Sequence, residues 1–270
     1  MSNTTGVTGH VERPPGVYWK WALEVKGTDV IGEWDQGNRL AYRMLGRFAE
    51  AADAVREASR KIEKSGEPGW LSTVVARVSL TRLRVRARNG FQMPDPVVSR
   101  EPNHEPGLGV LTALDALTPD ERVAYVLHDM FEESFEQVAP LIGRTPLGAL
   151  QVEARARRRV ADRPVSDVDL AGQRVVVDAF LAGEDVLDAD VTLRSEEIWL
   201  RGAGMVAPKA SVLQAAPCVE PAVVGGEAGL VSTVDGQPVL LVAFTVRESR
   251  IAAIHAITDR EHVRRLVAPR

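Results

Sequence analysis

The hydrophobic period changes once along the 270-residue chain, and this change restricts the fold more than any other feature of the sequence. From Arg39 to about residue 160, apolar residues recur at the three- and four-residue spacing of α-helices. Beyond residue 161, short runs rich in valine and isoleucine replace that spacing, which is typical of β-strands. We therefore expect a multidomain chain, with an all-α half followed by an α+β half.

The first helical block extends from Arg39 to Arg88 and contains one predicted break. Leu40, Met44 and Leu45 have helical spacing, and Glu67-Pro68-Gly69 interrupts the pattern before it resumes at Trp70, which we predict to be a core residue. The following stretch, Asn89 to Gly109, holds four prolines and three glycines and predicts a linker.

The second helical block, from about 110 to 160, is bounded by specific start and stop signals. Thr118-Pro119 predicts an N-cap followed by a first-turn proline, and Ser134 with Gln137 forms a capping-box pattern. Gly143 suits the residue that follows a helix end, and Thr145-Pro146 opens the next helix. Two short helices joined through Gly143-Arg144 predict a helix-turn-helix.

The tail begins with one predicted helix, at about Arg174 to Ala182, and continues with β-favouring runs. These runs are Val191 to Leu193, Ile198 to Leu200, Ala228 to Val234, Val239 to Val246 and Ile251 to Ile257. Asp235-Gly236 lies between two of them and is typical of a two-residue hairpin turn. One helix followed by an antiparallel meander predicts an α+β domain.

Charge is distributed unevenly along the chain. The formal net charge of −4 argues against general affinity for nucleic acid. Residues 1–100, however, have 16 basic and 11 acidic side chains, a net charge of +5, whereas the rest of the chain is acidic. Any phosphate-binding surface is therefore expected mainly in the first hundred residues.

Several classes of segment and site are not indicated by the sequence. No apolar run approaches the ~18 residues of a membrane span, and the N-terminus lacks the pattern of a signal peptide. Cys218 is the single cysteine, so an intramolecular disulfide is excluded. We predict a cytoplasmic location and no membrane partner. No nucleotide-binding loop or zinc motif is present, and we predict no cofactor and no metal.

Four segments, in this order, resemble those of group IV (extracytoplasmic-function) RNA polymerase sigma factors that carry a C-terminal SnoaL-like domain. They are LAYRMLGRFAEAADAVREA (Leu40–Ala58), PGWLSTVVARVSLTRLRVRAR (Pro68–Arg88), LTPDERVAYVLHDMFEESFEQVAPLIGRTPLGALQVEARARRRV (Leu117–Val160) and GGEAGLVSTVDGQPVLLVAFTVRESRIAAIHAITD (Gly225–Asp259). The chain is similar to a divergent member of that group.

The resemblance implies five segments: a divergent N-terminal segment (1–36), a sigma region-2-like helical domain (37–90), a linker (91–109), a sigma region-4-like helix-turn-helix domain (110–162) and a SnoaL-like, cone-shaped (NTF2-like) α+β domain (163–270). It also implies core RNA polymerase and promoter DNA as partners. The first helical domain would open and recognise the −10 element, the second would recognise the −35 element, and the SnoaL-like domain would modulate both.

Site residues follow from these roles. Asp53 and Glu57 would contact the polymerase, and arginines with one glutamine would contact DNA, through phosphates or bases. The predicted DNA-binding residues are Arg77, Arg82, Arg84, Arg86, Arg88, Gln151, Arg155 and Arg158. An alternative interpretation of the arginine-rich end of the first block is a solvated helix end, where cations favour the C-terminal dipole.

Some residues depart from the family pattern. Arg56 places a cation on the polymerase-facing surface, and Leu150 stands where relatives tend to have arginine. Glu153 is expected to place an anion near phosphates, Gly148 weakens its helix, and Pro140 interrupts the preceding one. A second hypothesis follows: a repurposed sigma-like protein that has lost promoter recognition and is a SnoaL-like enzyme or a binder of a polyketide- or epoxide-like small molecule.

The SnoaL-like domain would carry that activity. Such folds hold acid-base side chains in an apolar pocket, and any reaction here would be of the cyclase, isomerase or epoxide-hydrolase type. The candidate catalytic residues are Asp190, Glu197, Asp235 and His255. No pair among them is distinguished by its spacing, and the helical half of this domain is short for the family.

Overall fold

The protein is described from a computed structural model, which covers residues 28–65, 71–87, 93–102, 106–216 and 218–267. Most of the predicted N-terminal segment, the predicted break at Glu67-Pro68-Gly69, Trp70 and the DNA-binding candidate Arg88 lie outside the described residues. No helix among the described residues is long and apolar enough to cross a membrane.

The first helical block forms three helices, α1 (Thr28–Leu45), α2 (Phe48–Ser65) and α3 (Leu71–Arg86). No signal in the sequence predicted the end of α1. Gly46 makes that end possible, because its φ of +72° lies in the left-handed region, and its N–H donates to the carbonyl of Tyr42 at 2.6 Å.

The second block contains α4 (Leu108–Asp115), α5 (Pro119–Tyr125) with a π-helical turn at Val126–Met130, α6 (Phe135–Ile142) and α7 (Pro146–Ala161). The predicted start and stop signals are confirmed. Thr118 N–H donates to Glu121 Oε2 at 3.0 Å, Thr145 Oγ1 accepts from Gly148 N–H at 3.1 Å, and Gly143 ends α6 with a φ of +69°. The helices α6 and α7 form the predicted helix-turn-helix.

The helix α6 continues through Pro140, where the sequence predicted an interruption. Pro140 is exposed, and so is Glu136, whose carbonyl loses its helical partner to the proline ring. Solvent can therefore replace the lost hydrogen bond, and the helix need not end.

The two helical blocks share one hydrophobic core. Leu40 and Leu83 from the first block lie in the same buried cluster as Leu111, Val123 and Ile142 from the second. The two helical blocks therefore pack against each other as one helical unit, although the sequence predicted a linker between them.

The tail forms a seven-stranded sheet with three helices. The helices are α8 (Leu170–Leu181), α9 (Ala203–Gln214) and α10 (Arg260–Val267). The strands are β1 (Val98–Ser99), β2 (Leu187–Arg194), β3 (Trp199–Arg201), β4 (Val219–Val224), β5 (Glu227–Val234), β6 (Gln237–Arg247) and β7 (Arg250–Ile257), in the order β1-β4-β5-β6-β7-β2-β3. All neighbours are antiparallel except β2 and β7, which are parallel.

This α+β domain confirms the predicted fold class, but it contains helices and strands that the sequence did not predict. The five predicted runs correspond to β2, β3, β5, β6 and β7, and Asp235-Gly236 forms the hairpin turn with positive φ at both residues. The helices α9 and α10 and the strand β4 were not predicted. The strand β1 comes from the segment interpreted as a linker and pairs with β4.

The same segment also anchors the helical unit through Asp95. Its carboxylate accepts from Phe48 N–H at 2.9 Å, at the start of α2, and lies 2.6 Å from His262 Nε2 of α10. Tyr42 donates to the Asp95 carbonyl at 2.7 Å. One residue thus joins α1, α2 and the last helix of the chain.

The two faces of the sheet have different coverings. One face packs against α8 and α9, where Phe180 and Phe244 lie 5.8 Å apart between ring centroids. The other face packs against α10 and α4. Leu108 belongs to the core on that face, whereas Leu111 and Leu114, one turn along α4, belong to the core of the helical unit. The helix α4 therefore connects the two halves of the molecule.

Candidate nucleic-acid interface

The predicted basic residues of α3 differ in their surroundings. Arg77 is exposed, whereas Arg82 donates to Glu57 Oε2 at 3.0 Å and to the carbonyl of Glu50 at 3.2 Å, both on α2. Arg82 therefore holds α2 against α3, and its charge is partly compensated before any DNA is bound.

Two further arginines of α3 cross from the first helical block to the second. Arg84 Nη2 lies 2.9 Å from Asp120 Oδ1, and Arg86 Nη2 lies 2.6 Å from Asp115 Oδ1. Arg122 of α5 binds the same oxygen of Asp115 and donates to the carbonyl of Arg43 on α1 at 3.3 Å. The basic end of α3 is thus turned towards acidic residues at the end of α4 and the start of α5.

Arg122 is the most enclosed member of this cluster, at 1% exposure. Burial lowers the pKa of Arg122, and the neighbouring carboxylate of Asp115 opposes that effect. A buried guanidinium of this kind depends on its partner, because an unpaired buried charge is strongly destabilising. Asp115 thus pairs with both Arg122 and Arg86, and Glu50, 3.6 Å from Arg86, supplies a second carboxylate.

The exposed face of α7 carries the other DNA-binding candidates. Gln151 and Arg158 are exposed, and among the described residues no ion pair involves Arg158. Arg155 is also exposed and lies 3.8 Å from Glu121 Oε1, which is a long contact for an ion pair. Two exposed leucines, Leu147 and Leu150, lie on the first turns of the same helix.

Glu153 does not lie on that face, which corrects the expectation that it would oppose DNA phosphates. It is only 3% exposed, and its carboxylate accepts from Arg157 Nε at 2.7 Å. It also raises the pKa of the neighbouring Asp129, after the larger effect of burial. Glu153 is therefore part of the packing between α7 and the π-helical turn.

The candidate polymerase contacts lie on α2 and have internal partners. Asp53 forms an ion pair with Arg56, the cation that the sequence marked as atypical. Glu57 pairs with Lys61 at 2.9 Å and with Arg82 at 3.0 Å, and the hydrogen bonds from these two cations lower its pKa. Both acids remain partly exposed.

The four catalytic candidates are spread over the α+β domain. Asp190 is exposed and lies 3.2 Å from Arg201, Glu197 is exposed after β2, and Asp235 is in the hairpin turn. His255 is buried on the sheet face beneath α4. Among the described residues, no contact joins any of the other three to His255, and no group of three or more His, Cys, Asp and Glu side chains could hold a metal ion.

Glu227, which the sequence did not single out, also lies against the start of α4. The carboxylate of Glu227 lies at the N-terminus of α4, and Ser166 and Thr245 each donate to its Oε1 at 3.3 Å. Although the residue as a whole is half-buried, Oε2 is enclosed without a hydrogen bond of ordinary geometry. Burial raises the pKa of Glu227 to about 7.

His255 has the opposite shift for the same reason. Burial, and then the charges of Arg194 and Arg163, lower the pKa of His255 to about 4, and its Nδ1 has no partner among the described residues. Glu227 begins an otherwise apolar strand directly after two glycines, and that isolated acid was the available signal in the sequence. Both groups lie beneath α4, where the α+β domain meets the helical unit.

The chain is similar in sequence to known RNA polymerase sigma factors. No protein-family model matches the chain. The chain is 35% identical over 189 residues to the "ECF RNA polymerase sigma factor SigJ" of Mycobacterium tuberculosis, covering 60% of each. It is 31% identical over 176 residues to the "Probable ECF RNA polymerase sigma factor SigI" of the same organism, covering 57% of this chain and 61% of that protein. The chain thus spans about three fifths of the length of these relatives.

A solved structure matches over a greater length. The crystal structure of the Mycobacterium tuberculosis extracytoplasmic function sigma factor SigJ superposes with a TM-score of 0.70 at 26% identity. The match covers 87% of this chain and 96% of that one, so it includes the helical unit and the α+β domain.

Proposed function

We propose that this chain, which is similar to extracytoplasmic-function sigma factors, is a divergent member of that family and a transcription initiation factor that binds core RNA polymerase and promoter DNA. The observation that carries the proposal is the helix-turn-helix of α6 and α7. Its second helix exposes Gln151, Arg155 and Arg158 on one face, which are side chains suited to bases and phosphates.

The remaining contacts belong to the first helical block. Arg77 is available for phosphates, and Arg82, Arg84 and Arg86 join it once their internal partners are displaced. Arg88, at the end of the same basic segment, would add a further phosphate contact. The partly exposed Asp53 and Glu57 of α2 would contact the polymerase.

Arg84 and Arg86 can bind DNA only if they first leave their acidic partners within the protein. Both are engaged by Asp120 and Asp115 of the second helical block, so DNA and these acids compete for the same guanidinium groups. We propose that the DNA-binding form separates α3 from the α4–α5 corner. The form described here is then a resting form with reduced affinity for DNA.

The α+β, SnoaL-like domain would modulate this equilibrium through α4. That helix packs on the sheet through Leu108 and on the helical unit through Leu111 and Leu114, and it ends at Asp115, the partner of Arg86. A change in how the sheet holds α4 would therefore alter the position of an acid that competes with DNA. The buried Glu227 and His255 lie at that contact.

The direct test is co-elution of the full chain with core RNA polymerase, followed by run-off transcription from promoters selected with the resulting holoenzyme. We expect a complex and a promoter-dependent transcript. Arg158→Ala should lower the transcript yield about tenfold while leaving polymerase binding unchanged, because an exposed recognition-helix cation contacts DNA only.

The matched control is Arg264→Ala, which removes an exposed arginine of α10 and should leave the transcript unchanged. A folded protein that neither binds the core enzyme nor supports a transcript would refute the proposed function.

A further inference from the structure

We propose that the first two turns of α7 recognise A·T base pairs, with Leu147 and Leu150 contacting thymine methyl groups and Gln151 contacting adenine. This inference rests on the proposed function, since it names the DNA sequence class that the helix-turn-helix would select. It depends on which side chains α7 exposes, and on the absence of charged groups among those of its first two turns.

The packing of α7 determines which residues face outward. Its buried side is formed by Ala149, Val152, Glu153 and Ala156, which pack against the other helices of the second block. Leu147 and Leu150 consequently point to solvent, with exposures of 65% and 42%. In helix-turn-helix proteins, the N-terminal residues of the second helix are the ones that contact base edges.

The exposed part of these two turns carries no charge. The sequence from Pro146 to Val152 is PLGALQV, so Gln151 is its one hydrogen-bonding side chain. Within α7, cations begin one turn later, at Arg155 and Arg158, and the exposed Arg144 precedes the helix. We assign these three cations to phosphates rather than to the bases nearest the helix start.

This composition of the first two turns argues against recognition of guanine there. Guanine and cytosine offer only polar groups in the major groove, and a leucine side chain over them would leave those groups without water or a partner. The C5-methyl of thymine is the one apolar group in that groove, and the amide of Gln151 can make a bidentate pair with adenine. An A·T-rich half-site therefore fits this helix.

Packing within the protein does not account for the two leucines. The core beneath α7 is filled by the buried residues already named, and an exposed i,i+3 leucine pair stands out on a helix that is otherwise rich in alanine and arginine. A contact with another protein is the competing explanation, and the experiment below distinguishes it.

The test uses the full chain in complex with core RNA polymerase. Double-stranded DNA with a randomised upstream element is selected for binding, and affinities for the selected duplex are measured by fluorescence anisotropy. We expect an element dominated by A·T pairs at the positions facing α7. Replacing a contacted thymine by deoxyuridine, which lacks only the methyl group, should weaken binding about fourfold, the effect of burying one methyl group.

Two variants and a control make the assignment specific. At the thymine that Leu150 contacts, Leu150→Ala should bind the thymine and deoxyuridine duplexes equally, and Leu150→Arg should select guanine at that position. Val175→Ala removes another exposed aliphatic side chain, 69% exposed on α8, and should retain the full sensitivity to the methyl group. Thermal melting of each variant checks that the fold is intact.

The outcomes separate this inference from the proposed function. Selection of a G·C-rich element, or equal binding of thymine and deoxyuridine duplexes by the unmodified chain, would overturn the inference while leaving a sigma-type function in place. It would also favour a protein partner for the leucines. Failure of the complex to bind any duplex selectively would refute both.

Discussion

Glu227 and His255 both lie against the start of α4, and they give the stability of the protein two opposing dependences on pH. Glu227 has a pKa of about 7 in the folded protein against 4.5 for the free side chain, so the folded state keeps a proton that the unfolded state releases. The free energy of unfolding therefore falls as pH rises from about 4.5 to about 7. His255, with a pKa of about 4 against 6.5, makes the free energy of unfolding rise between those two values.

The substitution Glu227→Gln separates the two effects. It removes the contribution of Glu227, which lowers the free energy of unfolding as pH rises. The variant should therefore gain stability relative to the original protein, by on the order of 3 kcal/mol between pH 4.5 and pH 8. The rise caused by His255 should remain. Urea unfolding at a series of pH values measures both slopes.

Glu220→Gln is the control for this experiment, because Glu220 is exposed on the neighbouring strand β4. It should leave the pH profile unchanged. If Glu227→Gln loses stability equally at every pH, then the carboxylate has a structural role only and its proton is not retained on folding.

For single residues, the sequence predicted which side chains of a helix are exposed, but not which acidic side chains are buried by distant parts of the chain. Gln151 and Arg158 were expected to be exposed and are exposed, because the helical period places them opposite the buried positions of α7. Glu153 and Glu227 were misjudged or missed. Their burial depends on neighbours distant in the sequence, the π-helical turn and α4, and no local pattern contains that information.

At the scale of elements, the contact between α3 and the α4–α5 corner is the feature with the clearest consequences. Asp115→Asn would leave Arg122 buried beside a neutral amide, and Arg86 without its closest acid. We expect a loss of about 3 kcal/mol in the free energy of unfolding, the usual effect of removing one partner of a buried ion pair. Chemical denaturation measures it.

Asp120→Asn is the matched substitution at an exposed pair, because Arg84 and Asp120 are 54% and 32% exposed. Its effect on stability should stay below about 1 kcal/mol, while affinity for promoter DNA should rise, since Arg84 no longer has an internal competitor. Unchanged DNA affinity in this folded variant would argue against competition between DNA and the acids of the second block.

The turn between α6 and α7 is a second element whose role can be isolated. Gly143 has a φ of +69°, and a side chain at this position would meet nothing within 4 Å. Gly143→Ala therefore changes backbone strain without a steric clash, and should lower the free energy of unfolding by about 1 kcal/mol. Thermal unfolding measures this loss. An unchanged or raised midpoint would contradict the expectation that alanine is strained at this position.

Helices and strands whose sequence signals lie within a few residues were predictable. Those that depend on residues far away in the chain were not. Thr118, Ser134 and Thr145 marked the starts of α5, α6 and α7 because caps act over three residues. The helix α9 was missed because glycines surround its start and Pro208 lies inside it. The strand β1 depends wholly on its pairing with β4, more than a hundred residues away.

On the scale of the whole molecule, α4 links the α+β domain to the basic end of α3. The chain order alone suggested three separate domains, whereas the shared core of the helical unit and the double packing of α4 make the halves interdependent. This could not be predicted from the sequence, because α4 is eight residues long and its apolar residues lie on more than one side, without the single stripe that would indicate one partner.

A pair of leucine substitutions tests whether α4 transmits this link. Leu108→Ala empties a fully buried position where α4 meets the sheet, and Leu266→Ala empties a position of α10 in the same core, 6% exposed. Each should cost about 2–4 kcal/mol. Only the loss at Leu108 should loosen α4, and with it the hold of Asp115 on Arg86.

Leu108→Ala should therefore increase hydrogen exchange in α4 and in the end of α3 around Arg84 and Arg86, and should raise DNA affinity. Leu266→Ala, despite a comparable loss of stability, should change exchange only in α10 and the strand β6 that it covers. Equal effects of the two variants on α3 would mean that general destabilisation opens the helical unit. A selective effect of Leu108→Ala would identify α4 as the path by which the C-terminal domain controls the arginines of α3 that we propose to bind DNA.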